Sequence, residues 1–258
     1  MLLVDKSNGV ARVTLNRPDL RNAFDDALIA ELTTVFKGLG KDDGVRAVVL
    51  AGNGPAFCAG ADLNWMKRMA GYSYEQNLAD AQALADMLLA LDRMPKPTIA
   101  RVHGPAFAGG TGLVAACDIA VGTPEAKFCF SEAKLGLSPS TISPHVMRAI
   151  GERAARRYFL TAEVFDAAEA AKIGLLSVLV PSHELDSFID GLLGHLLAGG
   201  PVAMRKIKEL IAAVSNRPVD EALARDTARR IAEIRVSPEG KEGIASFLEK
   251  RKPGWNKR

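Results

Sequence analysis

Three glycines in four positions, Gly109, Gly110 and Gly112, stand inside the stretch Ala106–Ala120, AFAGGTGLVAACDIA. They sit between an apolar strand pattern and a run of helix formers. Glycines at such a junction let backbone N–H groups approach a ligand closely, or let a helix pack tightly on a sheet. The spacing Gly-x-Gly-x-x-Gly does not occur, which excludes the usual dinucleotide loop. The glycines bring no acid or base with them, so any chemistry at this turn draws on side chains elsewhere in the chain.

The rest of the N-terminal three-quarters alternates strand and helix signals. Val10–Leu15 alternates as a strand, and Asn8-Gly9 predicts a hairpin before it. Asp25–Leu39 places Leu28, Leu32, Val35, Phe36 and Leu39 on one helical face. Val45–Leu50 is a nearly continuous apolar run, the pattern of a strand covered on both faces. Ser73 with Gln76 predicts a capping box for a helix whose apolar face carries Leu78, Ala81, Leu84, Ala85, Leu88 and Leu91. Pro95 and Pro97 end it, and strands are expected at Thr98–Val102 and Asp118–Val121. Asp166 with Glu169 is a second capping signal, and Gly174 a helix stop. Beyond Ser182 strand signals vanish, and helices broken at Gly199-Gly200-Pro201, Pro218 and Pro238 run to the end. The expected architecture is α/β with mainly parallel strands, with a core over residues 1–195 and a helical subdomain over 196–258.

Bulk properties narrow the function. With 258 residues and 48% hydrophobic content the chain can bury a large core. Cys58, Cys117 and Cys129 are odd in number and lie in apolar surroundings, which predicts reduced core thiols in a reducing, cytoplasmic compartment. No Cys-x-x-Cys or His-x-x-x-His spacing supports a metal site. The N-terminus lacks the basic leader and long apolar centre of a signal peptide, and the longest uncharged run, Gly104–Cys117, is too short and Gly-rich to span a bilayer. Net charge is +3, with eleven Lys or Arg against seven Asp or Glu in Arg217–Arg258, so the remainder carries −1. That mild asymmetry suits an anionic ligand or a partner subunit. It is too weak for nucleic acid, and no aromatic platform is interleaved with it.

Two turns and one carboxylate form the candidate site. AFCAGADL, Ala56–Leu63, repeats the arrangement of the glycine stretch, with Gly and Ala after an apolar strand and before a helix. Two N–H groups converging from such turns can hold a carbonyl oxygen that becomes negative during reaction. In FSEAKLGL, Phe130–Leu137, Glu132 is set in apolar company, where burial raises a carboxyl pKa towards neutrality. Asp62 reads as a helix N-cap, Asp118 as a structural pairing residue, and His103 and His145 as packing or hydrogen-bonding residues.

Taken together, LNRPDLRNAF (Leu15–Phe24), AFCAGADL, GPAFAGGTGLVAACDIAV, SEAKLGLSP and GIASFLEKRKPGW (Gly243–Trp255) resemble the crotonase, or enoyl-CoA hydratase/isomerase, superfamily along essentially the whole chain. The resemblance implies a spiral of ββα turns with a C-terminal helical region that builds trimers, often paired into hexamers. It implies an acyl-CoA thioester as substrate, so that coenzyme A enters as part of the substrate and no separate cofactor is needed. The family's oxyanion donors fall on the backbone N–H groups of Ala61 and Gly109. Its CoA contacts fall on Arg21, on Ala59, Gly60, Ala61 and Asp62, and on the basic cluster containing Lys250 and Lys252, which can serve a neighbouring subunit.

The familiar hydratase uses two glutamates twenty residues apart. The later one falls on Glu132, the earlier one on Gly112. The expectation is therefore a single-glutamate hydratase in which Glu132 handles the water and its proton, with the space at Gly112 left for a bulkier or charged acyl group. Ser131–Glu163 resembles the branch of 3-methylglutaconyl-CoA hydratases of leucine breakdown and related terpenoid-acid hydratases, which implies a branched or carboxylated enoyl-CoA. Ser138, Ser140, Thr141 and His145 are candidate partners for a distal carboxylate, or else merely shape the loop before the next helix. The alternatives are a double-bond isomerase using Glu132 alone, and a non-catalytic acyl-CoA- or RNA-binding protein on the same fold.

Overall fold

The computed structural model describes residues 1–256. Asn8 and Gly9 both adopt positive φ, 50° and 80°, the conformation that matches a tight turn to strand twist. They join β1 (Leu2–Ser7) to β2 (Val10–Leu15) as an antiparallel hairpin. From there α1 (Asp26–Lys41) leads to β3 (Ala47–Gly52), and α2 (Leu63–Met69) and α3 (Tyr74–Asp92) lead to β4 (Thr98–Val102). Next come β5 (Ala106–Phe107), α4 (Gly109–Ala116), β6 (Ile119–Gly122) and β7 (Lys127–Cys129). The core closes with α5 (Ser143–Thr161), β8 (Phe165–Asp166), α6 (Ala167–Lys172), β9 (Val178–Leu179) and α7 (Leu185–Ala198), before α8 (Pro201–Val214), α9 (Glu221–Val236) and α10 (Pro238–Leu248).

The six-stranded sheet runs β1-β2-β3-β4-β6-β9, in chain order, and every pairing after the first hairpin is parallel. A chain that steps one strand over at each crossover, always in one direction, winds a spiral. The smaller sheet β5-β7-β8 forms the second wall of that spiral. Single parallel bridges, Phe24 to Ala61 and Cys58 to Ala106, continue it into the earlier turns. These strands are two or three residues long, too short for a period-2 pattern to announce them.

The continuous apolar run of β3 is explained by its cover. Val48 and Leu50 join the main core under α1, α3 and α4, while Ala47 and Val49 join a second cluster that α7 closes with Leu185, Ile189 and Leu193. The strand starts two residues later than its apolar pattern, because the N–H groups of Arg46 and Ala47 both turn to Gly9 O. Two caps are as expected: Ser73 and Gln76 form a reciprocal box, and Asp166 accepts from Glu169 N; the structure adds a third, Asp25, which accepts from Leu28 N. Asp118 accepts from both the N–H and the hydroxyl of Thr98 and from Lys208, a structural role.

Two expectations need correction. The apolar face of α3 is buried only at its C-terminal end, through Met87, Leu88 and Leu91; Leu78 is 54% exposed and Ala81 is exposed too, the first half of the helix being held instead by a polar contact, Trp65 Nε1 donating to Asp80. The proposed boundary at residue 195 lies inside α7, and the first chain break after it is Gly199-Gly200. Across that break Arg46 donates to Leu197 O, Gly199 O and Trp255 O, and Trp255 Nε1 donates to Ala198 O.

Because Ile189 is fully buried between α7 and the sheet, Ile189→Ala should lower unfolding stability by about 2–5 kcal/mol, the usual cost of such a truncation. Urea unfolding followed by circular dichroism measures it.

Candidate active site

The first donor turn is built by main-chain pairing. Phe24 N donates to Gly60 O at 2.8 Å, and Asp62 N donates to Phe24 O at 2.9 Å. Alternate residues of an extended segment point opposite ways, so Ala61, between those two, directs its own N–H away from Phe24. The Asp62 carboxylate caps α2 by accepting from Asn64 N and Trp65 N, and Arg17 binds both it and Asp25 at 3.2 Å. One guanidinium thereby ties together the caps of α1 and α2. Arg21 lies beside the same turn, since its carbonyl accepts from Ala59 N at 3.0 Å, and its side chain is exposed.

The second donor turn carries strain. Ala108 has φ 46° and ψ −119°, a region that costs an alanine about 1–3 kcal/mol. Its ψ sets the plane of the peptide that carries the Gly109 N–H, so the strained angle aims that donor. The two turns meet: a side-chain carbon on Gly60 would stand 3.0 Å from Phe107 O and 3.2 Å from Ala108 Cβ. Gly60 also needs its φ of +91°. Gly109 is the first residue of α4, where N–H groups lack helical partners. Among the described residues neither the Ala61 nor the Gly109 amide has an acceptor.

The glycines have a packing reason as well. A side chain at Gly109 would enter the ring of Phe24, and one at Gly110 would run into Cys58 O. The packing reading of the motif therefore holds, and the close packing brings the α4 N-terminus against the first turn. Cys58 is sealed here, its thiol pushed up to about 12 by burial.

Glu132 follows β7, which is anchored to the second turn where Ala108 N donates to Cys129 O at 2.8 Å. The sequence thus passes from the donor turn to the carboxylate in three residues. Glu132 Oε2 is buried with no hydrogen-bond partner, and desolvation raises the carboxyl pKa. A carboxylate with one oxygen buried and unpartnered is unusual as structure and suited to proton exchange.

Other expected residues separate from this group. The volume beside Gly112 is not free. A side-chain carbon there would stand 2.5 Å from Ile142 Cγ2, 3.0 Å from Ile142 Cβ and 3.7 Å from Leu88 Cδ2, so the space expected for an acyl group is filled by hydrocarbon. Ser138 and Ser140 bond each other, and Ser140 O accepts from Ser143 Oγ, which closes the loop before α5. His145 Nδ1 lies 3.9 Å from Asp92, and burial lowers its pKa. Lys250 and Lys252 are exposed on the tail that Trp255 fastens to α7, while Arg251 between them is paired with Glu242 and Glu249. A cavity of about 1000 Å³ lies elsewhere, between the core and α8–α9, lined by Arg148, Lys208 and Arg230 among others.

Sequence reasoning missed the residues that hold the turns. Asn22 is fully buried in a left-handed conformation. It donates to Asn53 O and Ala56 O at 2.8 Å and accepts from Arg17 N. Its signal was present in RNAF, since asparagine tolerates positive φ better than other side chains, but nothing local showed which carbonyls it would serve.

Comparison with known proteins places the sequence and the fold. The profile of the family described as Enoyl-CoA hydratase/isomerase matches residues 5–258. Enoyl-CoA hydratase EchA19 of Mycobacterium tuberculosis is 34% identical over 258 residues, 99% of this chain and 96% of that protein. The crystal structure of an enoyl-CoA hydratase from Shewanella pealeana superposes with a TM-score of 0.96 at 44% identity, covering 98% of this chain and 95% of that one. The structure of an enoyl-CoA hydratase from Mycobacterium smegmatis gives 0.92 at 38%, covering 98% of both chains. The fold and the order of the motifs define a crotonase-type spiral. The chain belongs to the enoyl-CoA hydratase/isomerase family.

Asn22→Ala should leave two buried carbonyls and one amide unpaired, at about 1–3 kcal/mol, and place alanine in the left-handed region at about 1–2 kcal/mol more. A guanidinium titration compared with the wild-type protein checks this.

Proposed function

We propose that this protein is a single-carboxylate enoyl-CoA hydratase. The reading is carried by one observation: half-buried Glu132, with one carboxylate oxygen unpartnered, comes three residues after β7, the strand bonded to the turn that carries the unused Gly109 amide, against which the turn carrying the unused Ala61 amide packs. The amides accept the thioester oxygen as it gains charge, and each such donor is worth about 10²–10³ in rate. Water adds across the α,β double bond. It loses a proton to Glu132 as its oxygen bonds the β carbon, and the α carbon takes a proton from the same carboxyl.

Coenzyme A in this reading lies along Arg21 and the Ala59–Asp62 turn, a guanidinium being well suited to phosphate. Among the described residues Lys250 and Lys252 have no ion pair, and in this reading they serve a neighbouring subunit of a homotrimer or hexamer. Coenzyme A arrives with the substrate, and no further cofactor takes part. The compartment is cytoplasmic. Of the two acyl classes, a branched hydrocarbon suits the site better than a carboxylated one. The hydroxyls of Ser138 and Ser140 are engaged with each other, and His145 faces Asp92.

Glu132 must be ionised to take the proton from water. Its pKa is raised above the ordinary 4.5, so activity should fall on the acid side at a pH above 4.5. Glu132→Gln should reduce kcat by about 10²–10⁴ and remove that limb. Burial also makes the ionised carboxyl a cost to the fold above its raised pKa, so the same variant should melt at an equal or higher temperature at pH 8. Turnover of 2-enoyl-CoA esters in ¹⁸O-labelled water, with pH profiles and melting curves, tests all three. Product without the label, formed by double-bond migration, would make the protein an isomerase; unchanged turnover in the variant would make it a binding protein.

A further inference from the structure

We infer that Ile142 is the residue that holds this site to one carboxylate, by filling the volume that a second acid on α4 would need. The inference rests on the hydratase reading and adds to it the residue that decides how many acids the site can use. Gly112 lies one turn into α4, three residues after Gly109, and Glu132 follows the strand that ends beside the start of that helix. A carboxylate borne at position 112 would therefore project from the helix whose N-terminus carries one of the donors. It cannot be borne there as the chain stands. Ile142 is 1% exposed, and its branched carbons lie 2.5 and 3.0 Å from where the first side-chain carbon would be. Real contacts of that kind are not made at the shorter of these distances, and Leu88, fully buried behind, closes the other side.

Ile142 can hold this position because of where it lies. It is the residue before α5, with φ −88° and ψ −20°, and its carbonyl accepts from both His145 N and Val146 N at 3.1 Å. The main chain around it is fastened independently of its side chain, so the side chain can be cut back without undoing the start of the helix. Glycine at 112 and isoleucine at 142 are thus a matched pair: the small residue is required by the large one. Replacing Gly112 alone should fail, and replacing both should admit a second carboxylate.

The experiment uses the full-length protein and four variants: Gly112→Glu, Ile142→Gly, and the doubles Gly112→Glu/Ile142→Gly and Gly112→Glu/Ile142→Ala. Melting temperature, kcat and KM for hydration of crotonyl-CoA, and the pH dependence of kcat/KM are measured for each. Gly112→Glu alone should melt lower than wild type and hydrate no faster. The glycine double should melt higher than Gly112→Glu, hydrate with kcat at least tenfold above wild type, and show an ionisation absent from the wild-type profile; the alanine double should lie between. The inference is overturned if Gly112→Glu is as stable as wild type, or if neither double is more stable than Gly112→Glu. A folded double with the wild-type pH profile and no gain in kcat overturns it too. Failure of the underlying reading shows separately, as wild-type protein that adds no water to any 2-enoyl-CoA or is indifferent to Glu132→Gln.

Discussion

Parity of backbone pairing is the constraint on which the site depends. An extended segment presents its hydrogen-bonding groups alternately to one side and the other. Once Gly60 and Asp62 are committed to Phe24, the Ala61 amide has no choice of direction. The second donor is aimed by different means, a strained alanine and a helix start, but it too is held by a strand pair, Ala106 to Phe128 and Phe107 to Cys129. Successive turns of the spiral are thus stitched by short parallel bridges. The same stitches that close the fold leave two amides over. In the proposed reaction no side chain would be spent on holding the oxyanion, which would leave the single carboxylate for proton work.

What the chain reveals without coordinates divides along physical lines. Elements with periodic faces, such as α1 and β2, were legible because burial acts on every turn or every second residue. Caps were legible at Asp62, Ser73 and Asp166, because a cap is a local bargain between one side chain and amides two or three residues away. Strands of two residues carry no period and stayed hidden. At the candidate site, the donor turns and Glu132 were legible through their motifs. Asn22, Arg17 and Ile142 were not, since their roles consist of contacts with residues between 5 and 45 positions away that no pattern in the neighbouring sequence encodes. Gly112 shows the difference most directly. Read from the sequence, a missing side chain suggests empty space. In the folded chain another residue has moved into it.

The apolar residues that remain outside are concentrated on particular elements. Phe247, Leu248, Val236 and Ile211 are exposed on α8–α10, and Leu63, Tyr74 and Leu78 on α2–α3. The first group accompanies the mild positive charge of the C-terminal segment, where Lys250 and Lys252 have no ion pair among the described residues. The helical segment therefore offers both hydrocarbon and charge to whatever it meets, and this is the surface on which a subunit arrangement would draw.

Arg46 links parts of the chain that are far apart in sequence. Its guanidinium reaches the end of α7, the Gly199 turn and the tail at Trp255, while its own amide is bound to the first hairpin at Gly9. The earliest and latest portions of the polypeptide are consequently fastened at one point. The helical end cannot peel away while the hairpin stays in place without breaking several bonds together, so melting should proceed as one cooperative event, with the two portions losing structure together.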